Sequence, residues 1–344
     1  MQGALVGFGT IAGGHLDAYL NTEVMDIKAV FDPLAERRKK AKLIAPRINT
    51  YSTLDDMFSR EKLDFIDICS PPNTHHNYIR SGLSNNCHVM CEKPFLLFSE
   101  QYKGLLALTK SENKVVFPSH NYKFSPILRL IREIVHSEHF GQIISGHFRT
   151  FRSGHAVGVP EWNPHWRRDL NISGGGILRD HGTHSIYIAC EMCRQIPTAV
   201  SCIMGNLKAD QYKDTEDTVL MTLYFDHNIH FIINLSWAAG YRNTYYSIMG
   251  SNENIIVEND NLIYTKKEGE IIRKSISSEF DDPSHKSWFK GIFCDFKDVV
   301  EHQNRQLPLL KEALITTLVI ECAYLSAKQG GKLINVPSMF EQLT

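Results

Sequence analysis

Short apolar runs alternate with amphipathic stretches along the first third of the chain. The apolar runs predict strands at residues 4–7, 27–31, 65–69, 88–91 and 115–118. Intervening segments such as 53–60 and 75–85 have the length of crossover helices. Because strands that alternate with helices favour a parallel sheet with right-handed crossovers, we expect a doubly wound α/β domain over residues 1–122.

The pattern changes after residue 124. Longer runs now predict strands at residues 142–152, 199–207, 218–225, 229–238, 245–249, 255–258 and 262–266. Polar turn sequences at 226–228 and 259–261 indicate antiparallel hairpins. Helical patterns lie at residues 126–136, 178–194, 286–301 and 312–329. We expect an α+β domain over residues 123–344, built on a large, mainly antiparallel open sheet.

Composition narrows the range of functions. The chain has 344 residues, enough for two domains, with 37 basic against 38 acidic residues and no basic stripe, so we expect no nucleic-acid partner. Polar residues interrupt even the apolar run at 229–239, so we expect no membrane span. The eight cysteines lie mostly in apolar runs, which favours thiols and a cytoplasmic location. We expect no metal site.

A glycine-rich turn links the first predicted strand to a helix, with the sequence Gly7-Phe8-Gly9-Thr10-Ile11-Ala12. The first glycine allows a tight turn and the second lets the backbone approach a pyrophosphate at the helix N-terminus, while Ala12 permits close packing. The turn therefore predicts a dinucleotide-binding domain of the Rossmann type, with Thr10 and Ile11 also contacting the cofactor.

Asp32 ends the second predicted strand, about 20 residues after the turn, where a carboxylate accepts hydrogen bonds from the adenosine ribose hydroxyls. This position favours NAD, since the carboxylate would repel a 2′-phosphate. NADP stays open if Arg37 and Arg38 fold back from the next helix.

Two further segments follow strands at the sheet edge where doubly wound folds bind ligands. They are Ser70-Pro71-Pro72-Asn73-Thr74-His75 and Glu92-Lys93-Pro94. A third, Gly174-Gly175-Gly176, opens a helical pattern that carries Asp180 and His184 one turn apart, so the two side chains share a helix face. We expect the glycines to let this helix approach the cofactor closely.

The order of these motifs resembles the Gfo/Idh/MocA family, which includes glucose-fructose oxidoreductase and inositol dehydrogenases. The resemblance runs through GFGTIA, Asp32, SPPNTHH, CEKP, FSPILRLIREI and GGGILRDHGTHSIYIA, nearly the whole chain. It implies a nicotinamide-dependent oxidoreductase in which Lys93 acts at the reacting hydroxyl and Asp180 and His184 complete the catalytic site. It also implies a cis Lys93–Pro94 bond.

The resemblance and the position of each motif together give the expected binding residues. The cofactor contacts are Gly7, Gly9, Thr10, Ile11, Ala12, Asp32, Ser70, Pro71, Asn73, His75, Glu92, Lys93, Trp166 and Arg167. The substrate contacts are Lys93, His120, Asn121, Tyr122, Asp180 and His184. Either a Lys93 of lowered pKa or His184 could accept the hydroxyl proton, and the sequence leaves both open.

Three functions remain open. The first is NAD-dependent hydride transfer between the nicotinamide and a secondary hydroxyl or ketone of a sugar, cyclic polyol or nucleotide sugar. The second is a redox-neutral glycosidase that retains NAD, and the third is a non-catalytic dinucleotide- or sugar-binding regulator. Apolar runs such as 229–237 make a solvated outer sheet face improbable, so we expect a homodimer or homotetramer.

Overall fold

The computed structural model describes residues 1–277, 286–302 and 305–336. The strands of the first sheet are β1 (Gln2–Val6), β2 (Asp26–Phe31), β3 (Asn49–Tyr51), β4 (Phe65–Ile68), β5 (His88–Cys91) and β6 (Val116–Pro118). They are all parallel, in the order β3-β2-β1-β4-β5-β6. The doubly wound parallel sheet is therefore confirmed, with β3 as a short addition that the apolar pattern did not predict.

The second sheet is built from later strands. They are β7 (Ile143–Phe151), β8 (Ala199–Gly205), β9 (Thr218–Tyr224), β10 (His230–Ser236), β11 (Asn243–Gly250), β12 (Asn254–Glu258), β13 (Asn261–Thr265), β14 (Ile271–Ser275) and β15 (Ile334–Asn335). Their order is β14-β13-β12-β11-β7-β10-β9-β8-β15. Among the described strands of this second sheet, β7 and β10 form the one parallel pair, and the other pairs are antiparallel. The mainly antiparallel sheet is confirmed.

Helices cover the sheets. They are α1 (Thr10–Thr22), α2 (Ala35–Ile44), α3 (Leu54–Arg60), α4 (Pro72–Ser84), α5 (Gln101–Glu112), α6 (Pro126–Val135), α7 (Leu170–Ser173), α8 (Thr183–Cys193), α9 (Lys286–His302) and α10 (Gln306–Lys328). In the described part of the chain, none of them is both long enough and apolar enough to span a bilayer.

Alternation along the strands decides which face of the second sheet is covered. In β10, Phe231, Ile233 and Leu235 are fully buried and pack with apolar residues of α6, α8 and α10, whereas Ile232 points to the other face. The described helices of the second domain therefore lie on one side of this sheet. Side chains such as Ile232 on the other side, the outer face, are left uncovered by these helices.

The last two helices return to the first sheet. Phe289, Phe293 and Phe296 of α9 pack with α1 and one face of the sheet, and Leu310 and Leu314 of α10 pack on the opposite face. The second half of α10 belongs to the core of the second domain. We therefore propose that the first domain comprises residues 1–122 together with α9 and the start of α10.

The chain passes between the two domains at a buried cluster of charges. Glu312 of α10 accepts hydrogen bonds from His120 Nδ1 and Lys123 Nζ, each at 2.6 Å. Burial would raise the pKa of Glu312, but Lys123 and His120 outweigh that effect and lower the pKa from 4.5 to about 2. The ionised carboxylate thus holds the interdomain segment against α10.

This cluster predicts an acid-dependent loss of stability. A depressed carboxylate pKa adds stability above the unfolded-state pKa and loses it as the pH falls through the folded-state value, here between about pH 4.5 and pH 2. We expect Glu312→Gln to be less stable than the wild type at pH 7, by up to about 3 kcal/mol, and the gap in unfolding free energy to narrow below pH 5.

Denaturant unfolding between pH 7 and pH 3 measures this gap. Glu301→Gln, at an exposed position of α9, is the matched control and should show no such narrowing. A gap for Glu312→Gln that stays constant with pH would contradict the assignment.

Candidate active site

A cavity of about 680 Å³ extends from the carboxyl edge of the first sheet to the second domain. The expected cofactor contacts that line it are Gly7, Gly9, Thr10, Ile11, Asp32, Ser70, Pro71, Asn73, Glu92, Lys93, Trp166 and Arg167. The expected substrate contacts that line it are Lys93, Asn121, Tyr122, Asp180 and His184. The cavity wall does not include Ala12, His75 or His120.

The glycine-rich turn of residues 7–12 forms one end of the cavity. Gly7 has a φ of +87°, and a Cβ there would lie 2.9 Å from the Cα of Ser70, so only glycine fits. Gly9 precedes α1 and provides no side-chain cap for the amides of its first turn. The turn therefore leaves room and N–H donors for a negatively charged group at the start of α1.

Asp32 lies at the end of β2 beside this turn. Its carboxylate accepts hydrogen bonds from the Phe8 amide at 2.7 Å and the Leu34 amide at 2.8 Å, and it is part of the cavity wall. These two amides fix the orientation of the carboxylate before any ligand arrives.

The two arginines of α2 both fold back towards the turn. Arg37 lines the cavity, but its Nε donates to the Phe8 carbonyl at 2.5 Å and its Nη1 lies 3.4 Å from Glu161. Arg38 donates to the Asp32 carbonyl at 2.7 Å. Their guanidinium groups are thus already engaged with backbone oxygens and a carboxylate, which favours NAD over its 2′-phosphate analogue.

His75 has a structural position that differs from the expected cofactor contact. It is completely buried in α4, with Nδ1 3.0 Å from the Pro94 carbonyl and Nε2 2.9 Å from the Ser70 carbonyl. Burial lowers the pKa of His75 and favours the neutral ring. The ring therefore bridges two loops of the cavity wall from behind and does not reach the cavity itself.

Lys93 meets Asp180 across the domain junction. The Lys93–Pro94 peptide bond is cis, as the resemblance implies, and Lys93 Nζ lies 2.6 Å from Asp180 Oδ1. The other carboxylate oxygen, Oδ2, is 3.4 Å from both Arg167 Nε and His181 Nδ1. Burial would raise the pKa of Asp180, but the charges of Lys93 and Arg167 hold it well below its ordinary value. Asp180 is therefore an ionised partner of Lys93.

A buried histidine supports the other side of Lys93. Glu92 accepts the Lys93 amide at 3.1 Å, and its carboxylate lies 3.3 Å from His15 Nε2. His15 Nδ1 lies 2.7 Å from Asp67, so the imidazole sits between two carboxylates. Burial would lower the pKa of His15, but Asp67 and Cys69 raise it well above its ordinary value.

The same histidine belongs to a group of potential metal ligands. His15, Asp67 and Cys69 place their donor atoms within 4.8 Å of one another, the one such group among the described residues. All three side chains lie in the core of the first domain and hydrogen-bond to each other. These contacts account for their proximity. No sequence motif marks His15, because its partners are distant along the chain.

His184 lies on α8, directly after a π-helical turn over Leu178–Gly182. Its ring stacks on Tyr122 with 3.8 Å between centroids, and its Nδ1 is 2.7 Å from the Tyr187 hydroxyl. His120, an expected substrate contact, instead stacks on Tyr187 and bonds to Glu312. The His120 ring is thus held by α8 and α10 and does not form part of the cavity wall, and its contact with substrate stays a prediction.

Two of the three glycines before Asp180 pack closely against other parts of the second domain. A Cβ on Gly175 would lie 1.8 Å from the Tyr324 hydroxyl, and one on Gly176 would lie 1.8 Å from the Glu216 carbonyl oxygen. The Glu216 carboxylate accepts the amides of Gly176 and Leu178 at 3.0 and 2.9 Å. Gly175 and Gly176 thus permit close packing against α10 and the residues before β9, and Glu216 anchors the segment that carries Asp180.

The loop of residues 153–168, which follows β7, covers the cavity from the second domain. Arg167 stacks over the Trp166 ring at 4.2 Å and donates to the Ala156 carbonyl at 3.0 Å. Several residues of the cavity wall were not among the expected contacts: Arg152, His155, His181 and Arg242. His181 lies between Asp180 and His184 in the glycine-rich motif, and this position indicates a possible site residue. The others lack a signal, because strand ends rich in polar residues occur throughout this domain.

Comparison with known proteins agrees with this architecture. Residues 1–120 match GFO_IDH_MocA, described as "Oxidoreductase family, NAD-binding Rossmann fold", and residues 128–256 match "GFO/IDH/MocA C-terminal domain". D-glucoside 3-dehydrogenase of Escherichia coli K12 is 29% identical over 187 residues, 53% of this chain and 51% of that protein. The chain thus spans about half the length of that relative.

Solved structures share the whole fold. An oxidoreductase from Agrobacterium radiobacter in complex with NAD⁺, L-tartaric acid and magnesium has a TM-score of 0.87 at 18% identity and covers 99% of both chains. Levoglucosan dehydrogenase in complex with NADH and levoglucosan has a TM-score of 0.85 at 18% identity, covering 98% of this chain and 100% of that one. With both of its domains matched in order, the chain belongs to the Gfo/Idh/MocA family of NAD-binding oxidoreductases.

Proposed function

We propose that this chain is a dehydrogenase that transfers a hydride between NAD and a secondary hydroxyl or ketone of a sugar, cyclic polyol or nucleotide sugar. The observation that carries the proposal is the 2.6 Å contact between Lys93 and Asp180, with His184 in the same cavity wall as the glycine-rich turn. One cavity thus joins a nucleotide-binding end to a set of proton-transfer groups.

The cavity wall fits NAD. The space that Gly7 and Gly9 leave and the uncapped amides of α1 suit a pyrophosphate, and the oriented carboxylate of Asp32 suits two ribose hydroxyls. Bound NAD would supply the hydride acceptor of the oxidation. The engaged guanidinium groups of Arg37 and Arg38 support NAD as the physiological cofactor.

The negative charge of Asp180 indicates which group donates a hydrogen bond to the substrate and which group accepts its proton. The ionised carboxylate of Asp180 lies 2.6 Å from Lys93 Nζ and accepts its hydrogen bond, so we assign Lys93 as the hydrogen-bond donor that orients the substrate oxygen. His184 then accepts the hydroxyl proton through Nε2, because Nδ1 is bonded to Tyr187. Tyr187 and the stacked Tyr122 hold the imidazole in position.

A panel of neutral and acidic sugars, inositols and nucleotide sugars tests this function. Each compound is incubated with NAD or NADP, and the reduced cofactor is followed by its absorbance. We expect NADH to accumulate with at least one polyhydroxylated substrate. Glycoside cleavage without net NADH would instead indicate a redox-neutral glycosidase, and tight NAD binding without any turnover would indicate a regulator.

The compartment remains a prediction. The eight cysteines are all unpaired thiols in the structure, seven of them buried or partly buried. This supports the proposed cytoplasmic location, where thiols stay reduced.

The outer face of the second sheet supports self-association. It exposes apolar side chains of three neighbouring strands, β8, β9 and β10, and of β11 beyond β7, namely Ile203, Leu220, Tyr224, Ile232 and Met249. An apolar surface of this kind is typical of an interface. We propose that two copies of the chain pack through this face, as a homodimer or as half of a homotetramer.

The proton-transfer assignment predicts large kinetic losses. Lys93→Met removes the ammonium group and His184→Asn removes the proposed base, so each should lower kcat by roughly 100-fold or more while NAD still binds. Lys28→Met, at an exposed position of β2, is the control and should keep wild-type kcat. Near-normal turnover in both site variants would refute the assignment.

The cofactor assignment predicts a loss of affinity. Asp32→Ala removes the acceptor for the ribose hydroxyls and should raise the Kd of NAD roughly 10- to 100-fold, with a smaller change for NADP, because the repulsion of a 2′-phosphate is lost. Calorimetric titration measures both constants, and Asp26→Ala at the exposed start of β2 serves as the control. An unchanged Kd for NAD would show that Asp32 does not bind the ribose.

The proposed interface predicts a change of assembly. Ile232→Glu places a charge at the centre of the outer face and should shift the protein to monomers in sedimentation at micromolar concentration. Leu43→Glu introduces the same charge at an exposed apolar position on α2, in the first domain, and should leave the assembly unchanged. A wild-type chain that sediments as a monomer would contradict the proposal.

A further inference from the structure

The end of the cavity beyond Lys93 carries an excess of positive charge. Its cationic wall residues include Lys93, Arg152 and Arg167, and its carboxylates are Glu92 and Asp180. Arg242 also lines this end of the cavity and has a partner of its own. Asp180 pairs with Lys93 and Arg167, and Glu92 faces His15. These acidic groups are therefore committed to other partners, and neither of them balances Arg152.

Arg152 directly follows β7 and is only 7% exposed. Its Nη1 donates to the carbonyls of Phe151 and Asn243 at 2.7 and 3.0 Å, and its Nη2 donates to Thr244 Oγ1 at 3.0 Å. All three acceptors are neutral, and no ion pair joins Arg152 to a carboxylate within residues 1–277, 286–302 and 305–336. Among the described residues, this guanidinium of the cavity wall thus has no carboxylate partner.

Such an arrangement costs free energy unless a ligand compensates it. Burial lowers the pKa of Arg152, and the like charge of Arg242 acts in the same direction, so both effects oppose the cation that the fold retains. Three of the five Arg152 N–H groups serve these neutral acceptors and a fourth serves Tyr122, so one N–H and the positive charge remain for an oxyanion in the cavity.

The position of Arg152 links this charge to the reacting end of the cavity. The Tyr122 side chain hydrogen-bonds to Arg152, and the Tyr122 ring stacks on His184 at 3.8 Å. One aromatic side chain therefore separates the guanidinium from the proposed base. The cofactor end, by contrast, has its own residues around the glycine-rich turn and Arg37.

We infer that the substrate is an acidic sugar or polyol, whose carboxylate or phosphate binds Arg152 while its secondary hydroxyl lies against Lys93 and His184. This inference rests on the proposed dehydrogenase function. It names a substrate class that the family alone leaves open, since the remainder of the cavity wall would also accept neutral hydroxylated rings.

Matched pairs of compounds test the inference with the wild-type chain and NAD. D-glucuronate is compared with D-glucose, D-galacturonate with D-galactose, and D-gluconate with D-glucitol, while D-glucose 6-phosphate is compared with D-glucose. We expect kcat/KM to be at least roughly 10-fold higher for the acidic member of a pair. Comparing kcat/KM for the three carboxylates with that for D-glucose 6-phosphate shows whether the site binds a carboxylate or a phosphate.

Arg152→Gln should remove this preference by raising KM for the acidic compound roughly 10- to 100-fold, with little change for its neutral partner. Arg152→Lys retains the charge without the planar fork and should give an intermediate KM, which also covers the case in which the glutamine variant fails to fold. Arg80→Gln, an exposed guanidinium on α4, is the control and should keep the wild-type preference.

A binding measurement separates this inference from the function on which it rests. The complex of the chain with NADH is titrated with D-glucuronate and with D-glucose 6-phosphate in a calorimeter. Turnover of neutral and acidic members at equal kcat/KM overturns the inference and leaves the dehydrogenase intact. If no compound reduces NAD, the proposed function fails; anion binding that Arg152→Gln weakens would still support the anion site, and no binding would overturn it.

Discussion

The contact between Lys93 and Asp180 is the constraint on which the site depends. It joins the loop after β5 in the first domain to the segment before α8 in the second, with 2.6 Å between Nζ and Oδ1. Each partner has its own support, since Glu92 accepts the Lys93 amide and Glu216 anchors the backbone before Asp180. The ion pair therefore contributes to the charge at the reacting end of the cavity and also links the two domains at this point.

Burying such a pair is not an efficient way to stabilise a fold. Removing two charges from water costs several kcal/mol per ion, and the attraction between them often does no more than offset that cost. The structure nevertheless surrounds the pair with Arg167 and His181, and it places a second buried array, Asp67, His15 and Glu92, on the other side. Charge concentrated in a cavity wall in this way is characteristic of functional sites.

The sequence predicts the elements and the central motifs well, because each depends on local pattern. Alternating apolar residues define both sheets, and the register of short motifs identifies Lys93, Asp180 and His184. Local pattern says less about side chains whose partners are distant along the chain. His120 bonds to Glu312, His75 bridges two loops, and Gly175 and Gly176 pack on Tyr324 and Glu216. The short strands β3, β14 and β15 were missed because neighbouring strands, not their own residues, determine them.

A double-mutant cycle tests the central claim most directly. The kcat/KM of the wild type, Lys93→Met, Asp180→Asn and the double variant is measured with NAD and the best substrate. If the two side chains act as one unit, the double variant is no slower than the poorer single variant, which corresponds to a coupling energy of roughly 2 kcal/mol or more. Losses that simply multiply would contradict the account, because they would mean that Lys93 and Asp180 act independently.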